Sequence, residues 1–289
     1  MKLKIIKILS VIFQQISTCL VRLKIMKPKV IIYVDGGICS QMHMFLEGAY
    51  YAQAGMKVYY DLRWYERTKD VLVGVNSRTF ELQQMWPKLR LSQLSNRCNW
   101  FYYMFFKAER TNGDWLPAPE SLTRSVYLNG YWDLPEDCEK LFTVCFKLQN
   151  AAKVSYRPDA LENRVCGVHV RRGDLAKGDN PVYGGVTEGY FLRAIEYVKT
   201  RFPDIKFLFF SDEPDWVEQN ICRQIDAKYE IIRGNKAWED LRLLASCNPI
   251  IASQGSFGRV AAKLNSEAML IQCDNSYANR IRKNTYFIK

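Results

Sequence analysis

Residues 164–174 read Arg-Val-Cys-Gly-Val-His-Val-Arg-Arg-Gly-Asp, an apolar run that ends in two adjacent arginines. The run predicts a buried β-strand from Arg164 to Arg171. Guanidinium groups stay charged at any working pH, and their planar forks match phosphate oxygens. Arg171 and Arg172, at the end of this strand, are therefore predicted to clamp a phosphate dianion.

Strands alternate with helices through the rest of the second half of the chain. The apolar run Phe207–Phe210 and its counterparts fit strands covered on both faces, which predicts a doubly wound parallel sheet. Ligands of such sheets bind at the carboxyl ends of the strands. Residues 163–289 are thus predicted to form one α/β domain whose crevice is lined by Arg171–Arg172, Ser211–Asp212 and Ser253–Ser256. The predicted helices are 187–202, 215–226, 238–247 and 257–264, and the further strands are 205–211, 229–232, 249–253 and 268–272.

The first half opens with a strand at Val30–Asp35, a Gly36-Gly37 turn, a helix at Ser40–Ala54 and a strand at Lys57–Asp61. This order predicts a βαβ unit at the start of a second α/β domain, residues 30–162. The pattern from residue 62 to about residue 162 is irregular and contains no legible motif.

The first 29 residues carry seven of the eleven excess positive charges and no acidic residue. They predict an amphipathic basic helix, which we expect to lie in the interface of an anionic membrane through residues 1–26. A helix packed on the domain and an uncleaved signal anchor remain alternatives. The polar arc of the wheel holds Lys4, Lys7, Ser10, Gln14, Gln15, Ser17, Thr18 and Arg22, and the opposite arc holds Ile5, Ile8, Leu9, Ile12, Phe13, Ile16, Leu20 and Leu23.

The cysteines and histidines argue against two kinds of site. Nine scattered cysteines without a Cys-x-x-Cys pair indicate a reducing compartment and make zinc improbable. With only His43 and His169 present, neither a zinc-protease motif nor a Ser-His-Asp triad is expected. Because the excess charge is terminal, a nucleic-acid partner is not expected either.

Neither a Walker loop nor a Gly-x-Gly-x-x-Gly motif occurs in the chain. Arginine and a helix N-terminus must then bind the phosphates. Gly255-Ser256-Phe257-Gly258 opens a predicted helix, where free backbone N–H groups and the Ser256 hydroxyl favour an anion. The same residues also fit an ordinary helix start with a serine cap.

Four segments together resemble family 11 glycosyltransferases, the inverting α-1,2-fucosyltransferases that use GDP-fucose. These segments, in chain order, are Gly36–Met42, His169–Asp174, Phe210–Glu213 with Trp216 and Asn220, and Asp240–Cys247 with Gly255–Gly258. The resemblance covers residues 30–272 and implies a fold of two Rossmann-like halves that face each other across a cleft, known as GT-B.

The resemblance also implies transfer of L-fucose to the 2-hydroxyl of a galactose, with inversion and no cofactor. No Asp-x-Asp metal motif occurs in the sequence, so the arginines are expected to supply the positive charge and no metal is expected. From the residues themselves, Arg171, Arg172 and Asp174 are the predicted catalytic residues. The resemblance implies guanine recognition by Asp240, which could instead be a helix N-terminal charge. Donor binding involves His169, Arg171, Arg172, Ser211, Asp212, Asp240, Gly255, Ser256 and Phe257, and the acceptor side or cleft involves Gly36, Gly37 and Gln41.

The general base is the least determined role. Asp174 is the first candidate, followed by Glu188 and Asp35, although Asp174 could instead hold the arginines through an ion pair. A lipid-linked oligosaccharide acceptor is expected, which would place a bacterial enzyme of surface-polysaccharide (O-antigen) synthesis in the cytoplasm, on the inner face of the cell membrane. Alternatives are a transferase using another nucleotide sugar, or a basic membrane-associated or nucleic-acid-binding module without catalysis.

Overall fold

The structure, a computed structural model, describes residues 2–67, 78–108, 114–153, 164–173, 187–273 and 284–288. The chain divides into two compact units, Met1–Lys147 and Leu148–Lys289. The sequence had placed the boundary after residue 162, which lies outside the described residues.

The first unit contains a three-stranded parallel sheet in the order β2-β1-β3. Its core strand β1 and the helix α2 form the predicted βαβ unit with β2. Strand β3 was not predicted, because three residues are too few to show a period, and its place is fixed by pairing with β1. The elements are α1 (Lys2–Arg22), β1 (Lys29–Tyr33), α2 (Ile38–Gln53), β2 (Lys57–Asp61), α3 (Arg63–Arg67), α4 (Leu82–Met85), α5 (Asn96–Phe106), β3 (Val126–Leu128) and α6 (Asp137–Cys145).

The second unit contains a six-stranded parallel sheet in the order β6-β5-β4-β7-β8-β9. This confirms the α/β class and the doubly wound parallel sheet. The final strand β9 was not predicted. The elements are β4 (Val165–Val170), α7 (Glu188–Arg201), β5 (Lys206–Ser211), α8 (Pro214–Asn220), β6 (Tyr229–Ile231), α9 (Ala237–Leu244), β7 (Ile250–Ala252), α10 (Phe257–Leu264), β8 (Leu270–Cys273) and β9 (Thr285–Ile288).

Strand β4 lies at the point where the strand order of this sheet reverses. From β4 the chain adds β5 and β6 on one side, and then returns to add β7, β8 and β9 on the other. All six residues of β4 are buried, and helix α7 packs Phe191, Ile195 and Val198 into the core around it. Crevices form outside the carboxyl end of a sheet at such a switch point. The topology therefore predicts the ligand site at the end of β4.

The predicted helix at residues 215–226 is shorter in the structure. Helix α8 ends at Asn220, and a separate 3₁₀ turn follows at Cys222–Gln224. The break buries both Ile221 and Cys222 in the core.

Helix α1 belongs to the first unit and packs on it through its polar residues. The Ser10 hydroxyl and the Gln14 amide both donate to the carbonyl of Phe105, at 2.9 and 2.8 Å. Ser17 is buried, and its hydroxyl accepts from the backbone N–H of Ser125 at 3.2 Å. These contacts agree with the alternative of a helix packed on the domain, which the sequence had left open: α1 docks on α5 and on the approach to β3.

Candidate functional site

The carboxyl ends of β4, β5 and β7 bring together three segments that are far apart in sequence. Val170 pairs with Ser211 on one side of β4, and His169 pairs with Ala252 on the other. The residues that follow these pairs are Arg171, Asp212 and Ser253, which consequently meet at one edge. The sheet thus assembles the predicted donor-binding segments at the switch point.

Arg171 is held at both its backbone and its side chain. Its N–H donates to the Ser253 hydroxyl at 3.0 Å, and its Nη1 lies 2.8 Å from Oδ2 of Asp212 in an ion pair. The Arg171 side chain is 22% exposed and that of Asp212 is 10% exposed. An ion pair this shielded loses little to screening, so the guanidinium is fixed before any ligand arrives.

Arg172 is held in a similar way by Asp212, Glu213 and the indole ring of Trp216. Its N–H donates to Oδ1 of Asp212 at 3.0 Å, and its Nε donates to Glu213 at 2.9 Å. The guanidinium carbon lies 3.6 Å from the ring centroid of Trp216, a cation–π contact. The bond to Glu213 engages one of the five guanidinium donors. Arg172 is thus oriented on three sides.

His169 supports this edge from inside the sheet. It is 8% exposed, its Nδ1 lies 3.1 Å from the Ser253 hydroxyl, and its ring stacks on Phe257 with 5.0 Å between centroids. Burial, followed by the positive charge of Arg171, lowers the pKa of His169 to about 3. The imidazole is therefore neutral at physiological pH, and its contacts position Ser253 and Phe257.

The turn before α10 presents a helix N-terminus at the same edge. Gly255 has φ of +101°, in the left-handed region that favours glycine. Ser256 is exposed and makes no side-chain capping bond, so the simple serine-cap interpretation does not hold. A Cβ at Gly258 would lie 2.5 Å from Cβ of Ala252, so glycine lets α10 approach β7. Backbone N–H groups at this helix start suit an anion.

Asp240 lies in the first turn of α9, the helix that follows β6. Its Oδ1 accepts from the Asn235 amide at 3.0 Å. Since β6 is parallel to β5, α9 begins at the carboxyl edge of the sheet, the edge that holds the arginines. The position agrees with a role in base recognition and equally with a charge at a helix start.

In the first unit, the Gly36-Gly37 turn carries a polar cluster after β1. The Tyr131 hydroxyl lies 3.2 Å from Oδ1 of Asp35 and 2.8 Å from the Ser40 hydroxyl. Asp35 is half-buried, and this burial raises the pKa of its carboxyl group against the opposing effects of Tyr131 and Arg78. Gly36 has φ of +73°, and a Cβ there would lie 2.7 Å from the Ser40 hydroxyl.

Gln41 is fully buried beneath this turn, so it does not face the solvent as an acceptor-side residue would. Its amide nitrogen donates to the carbonyls of Gly36 and Thr79, at 3.3 and 2.9 Å. Its amide oxygen accepts from the N–H groups of Glu81 and Leu82. Gln41 therefore ties the turn to the segment before α4 and holds Gly36 in place.

The three candidates for the general base differ in what the structure describes. Asp174 lies outside the described residues. Glu188 is the first residue of α7, and its carboxylate accepts from the Gln224 side chain. Asp35 alone of the three is described within a cluster of polar hydroxyl groups.

Glu213 and Trp216 were not assigned a role in the site from the sequence, although both belong to the motif that follows β5. They orient Arg172. Ser253, which the sequence placed along the crevice without a role, bonds to both His169 and Arg171. The available signal was the position of these residues in the segments that follow β5 and β7, at the edge where β4 ends in its arginines. Their contacts, however, depend on strand order, which the sequence does not reveal.

Comparison with known proteins gives matches over this fold. An Escherichia coli alpha-1,2-colitosyltransferase is 32% identical over 148 residues, 47% of this chain and 50% of the relative. A Caenorhabditis elegans galactoside 2-alpha-L-fucosyltransferase is 40% identical over 75 residues, 26% of this chain and 20% of the relative. The chain thus spans half or less of the length of these curated relatives.

Among solved structures, the fucosyltransferase NodZ from Bradyrhizobium aligns with 87% of this chain and 96% of its own, at 16% identity and a TM-score of 0.49. The family model "Glycosyl transferase family 11" matches residues 75–288, which include the arginine pair, Asp212, Asp240 and the turn before α10. This match covers most of the chain. The protein belongs to glycosyl transferase family 11.

Proposed function

We propose that the protein transfers L-fucose from GDP-fucose to the 2-hydroxyl of a galactose residue in a glycan acceptor, with inversion at the anomeric carbon. The observation that carries the proposal is the arginine pair at the switch point, fixed by Asp212, Glu213, Ser253 and Trp216. Preorganised cations of this kind stabilise the charge that develops on a leaving diphosphate. The galactoside fucosyltransferases among the relatives support the choice of sugar and acceptor.

The reaction requires one bond to form and one to break. The oxygen of the acceptor hydroxyl bonds to the anomeric carbon, the bond from that carbon to the diphosphate breaks, and GDP departs with the electron pair. Arg171 and Arg172 receive the resulting negative charge. The hydroxyl proton passes to a carboxylate.

We propose two candidates for that carboxylate: Asp174, the first choice on sequence, and Asp35, whose surroundings the structure describes. Asp35 follows β1, has hydroxyl groups of Tyr131 and Ser40 as neighbours, and has a pKa raised by burial. A raised pKa makes a carboxylate a better proton acceptor, because the best base has a pKa closer to the working pH. The polar hydroxyl cluster also suits recognition of a sugar hydroxyl.

The proposal includes metal independence. The carboxylates that could have held a metal, Asp212 and Glu213, are paired with Arg171 and Arg172. Two guanidinium groups supply the positive charge at this edge that a divalent metal supplies elsewhere.

A second donor is favoured by one observation. The E. coli relative is a colitosyltransferase, and its match extends over 148 residues. Colitose lacks one hydroxyl that fucose carries, so both sugars present the same diphosphate to the arginines. GDP-colitose is therefore the alternative donor.

The acceptor and the place of action complete the proposal. We propose a lipid-linked oligosaccharide acceptor at the cytoplasmic face of a bacterial membrane, supported by the seven basic residues among the first 29.

The test incubates purified full-length protein with galactose-terminated oligosaccharides and a panel of GDP-fucose, GDP-colitose, GDP-mannose and UDP-galactose. We expect turnover with GDP-fucose, and a product whose NMR spectrum shows an α linkage to the galactose 2-position. Faster turnover with GDP-colitose would replace the donor but keep the site. Turnover with UDP-galactose alone would overturn the proposal.

A further inference from the structure

Helix α1 packs on the first unit in an unusual orientation. Ser10, Gln14 and Ser17 contact the protein through hydrogen bonds to Phe105 and Ser125, and Phe13 lies beside them in this contact. A helix on the surface of a soluble protein ordinarily turns its apolar stripe inward. In α1 the hydroxyl and amide side chains are docked, and most of the isoleucines are left outside.

The outward stripe of α1 is a row of isoleucines. Ile8, Ile12 and Ile16 are 60%, 44% and 49% exposed, and Ile5 beside them is 48% exposed. Single exposed apolar residues need no explanation, but a contiguous row marks an interaction surface.

Helix α5 continues this surface with aromatic and sulfur side chains. Phe13 of α1 contacts the rings of Phe101 and Phe105, with 5.1 and 4.9 Å between centroids. Phe101 and Met104 are each 37% exposed. We call the surface formed by Ile8, Ile12, Ile16, Phe101 and Met104 the α1–α5 platform.

Basic residues also remain exposed on α1. Lys4, Lys7 and Arg22 belong to the polar arc but, unlike Ser10, Gln14 and Ser17, they are exposed, and residues 1–29 contain no acidic residue. Two copies of the chain meeting through this surface would bring like charges together, at an energetic cost. An anionic partner satisfies both the apolar row and the cations, and an anionic lipid surface offers both together.

The contacts of α1 also decide how it would meet a bilayer. Residues Lys4–Arg22 are long and apolar enough to cross a membrane, with a mean hydropathy of 1.5. The hydrogen bonds made by Ser10, Gln14 and Ser17, however, hold one side of the helix against α5 and Ser125. Crossing the bilayer would leave these polar groups without partners in hydrocarbon, which is costly.

We propose that the α1–α5 platform lies flat in the surface of an anionic bilayer, with its isoleucine row and the exposed side of α5 below the headgroups. The helix serves as a membrane-facing wall of the first unit. The proposal does not depend on sugar transfer, so vesicle binding and transferase activity can fail separately.

The test measures flotation of the full-length protein with vesicles of phosphatidylcholine alone and of phosphatidylcholine with phosphatidylglycerol. We expect binding to the anionic vesicles only. The double variant Ile8→Glu/Ile12→Glu and the single variant Met104→Glu should each reduce this binding at least about tenfold, because a carboxylate enters the apolar row. Val144→Glu is the matched control, since Val144 on α6 is 64% exposed and lies outside the platform. It should bind like the unchanged protein.

Circular dichroism of each variant checks that it is folded, as we expect because the replaced side chains are exposed. Equal binding to both vesicle types, or undiminished binding by Ile8→Glu/Ile12→Glu, would overturn the proposal. Resistance of the bound protein to alkaline carbonate extraction would mean that α1 spans the bilayer, which also overturns it. So would a dimer in light scattering that the isoleucine variants dissociate, because the platform would then face a second copy.

Discussion

At the scale of single residues, the chemistry of the site depends on how side chains are held. Arg171 and Arg172 each have a carboxylate partner, and Arg172 also lies on Trp216. Guanidinium groups that are already held in place lose little conformational entropy when a diphosphate binds. They are also in position when negative charge develops on the leaving diphosphate. The neutral His169 contributes by fixing Ser253 and Phe257.

Replacing either arginine should reduce transfer without unfolding the protein. Arg171→Ala and Arg172→Ala are each expected to lower kcat/KM by about 100-fold, as lost preorganised donors do. Arg172→Lys should recover little of this loss, because an ammonium group cannot reproduce the fork or the stacking on Trp216. Steady-state kinetics and GDP binding by calorimetry measure both effects. Arg233→Ala, which removes a surface arginine paired with Asp215 and Glu218, is the control and should be fully active.

Asp35→Asn should separate activity from stability. If Asp35 accepts the proton, the variant loses about 100-fold or more in kcat. Burial raises the pKa of the Asp35 carboxyl above 3.8 in the folded protein. Ionisation of Asp35 therefore disfavours folding: the contribution of this group to stability is largest at low pH and is lost as pH rises through the folded pKa. The neutral amide should then raise the Tm at pH 7.

The pH profile of the unchanged enzyme should show the same group. Its rate should increase with pH along an acid limb whose midpoint lies above the ordinary carboxyl value of 3.8. Asp137→Asn, at a side chain 74% exposed, is the matched control and should keep both rate and profile. An Asp35→Asn enzyme of normal kcat would return the role to Asp174.

At the scale of elements, α1 shows what tertiary packing adds to a periodic pattern. The helical wheel predicted that the apolar arc would face a membrane, and the structure shows that part of the polar arc forms hydrogen bonds within the first unit. Hydrogen bonds to Phe105 and Ser125, together with the Phe13 contact, make α1 part of that unit.

Deleting residues 2–26 should therefore destabilise the first unit. The three lost hydrogen bonds contribute about 1 kcal/mol each, and burial of Phe13 contributes about 2 kcal/mol. The deletion should lower the Tm clearly in thermal unfolding followed by circular dichroism. The full-length variant Ile8→Glu/Ile12→Glu should keep its Tm, since both side chains are exposed. A truncated protein of unchanged Tm would show that the helix is separable.

At the scale of the whole molecule, charge is distributed in two distinct places. The first 29 residues carry seven of the eleven excess positive charges, whereas the arginines of the site are balanced by Asp212 and Glu213. The first group of charges fits the proposed attraction to an anionic surface, and the second fits the proposed diphosphate site. A change in salt concentration should affect the first more than the second, because exposed charges are screened and shielded pairs are not.

Transfer should persist in excess EDTA, because the arginines supply the positive charge for the leaving group. The assay compares initial rates with and without chelator at saturating donor, and then after addition of Mg²⁺ or Mn²⁺. We expect less than a twofold change, roughly the scatter of such assays and well below the loss caused by removing one charged donor. Loss of activity with EDTA and recovery with a metal would instead make Asp212 and Glu213 metal ligands.

The sequence by itself determined the alternation of strands and helices in the second unit and the βαβ opening of the first. Parallel strands that are buried on both faces consist of consecutive apolar residues, as in Phe207–Phe210, so the sequence of one segment is enough to predict each strand. The arginine pair, Ser211–Asp212 and the turn before α10 could also be predicted, because each directly follows such a strand. The short strands β3 and β9 could not, since pairing rather than composition creates them.

Only the tertiary structure decided which side chains meet. Strand order placed β4 between β5 and β7, and this brought Ser253 to Arg171 and Glu213 to Arg172. The same holds for Gln41. The motif predicted an acceptor-side residue, but in the structure Gln41 is buried and its four hydrogen bonds hold the Gly36-Gly37 turn in place. It holds equally for α1, whose hydroxyl and amide side chains pack inward. The physical reason is common to all three: hydrogen bonds between residues distant in sequence depend on packing geometry, and a periodic pattern carries only the local preference for a helix or a strand.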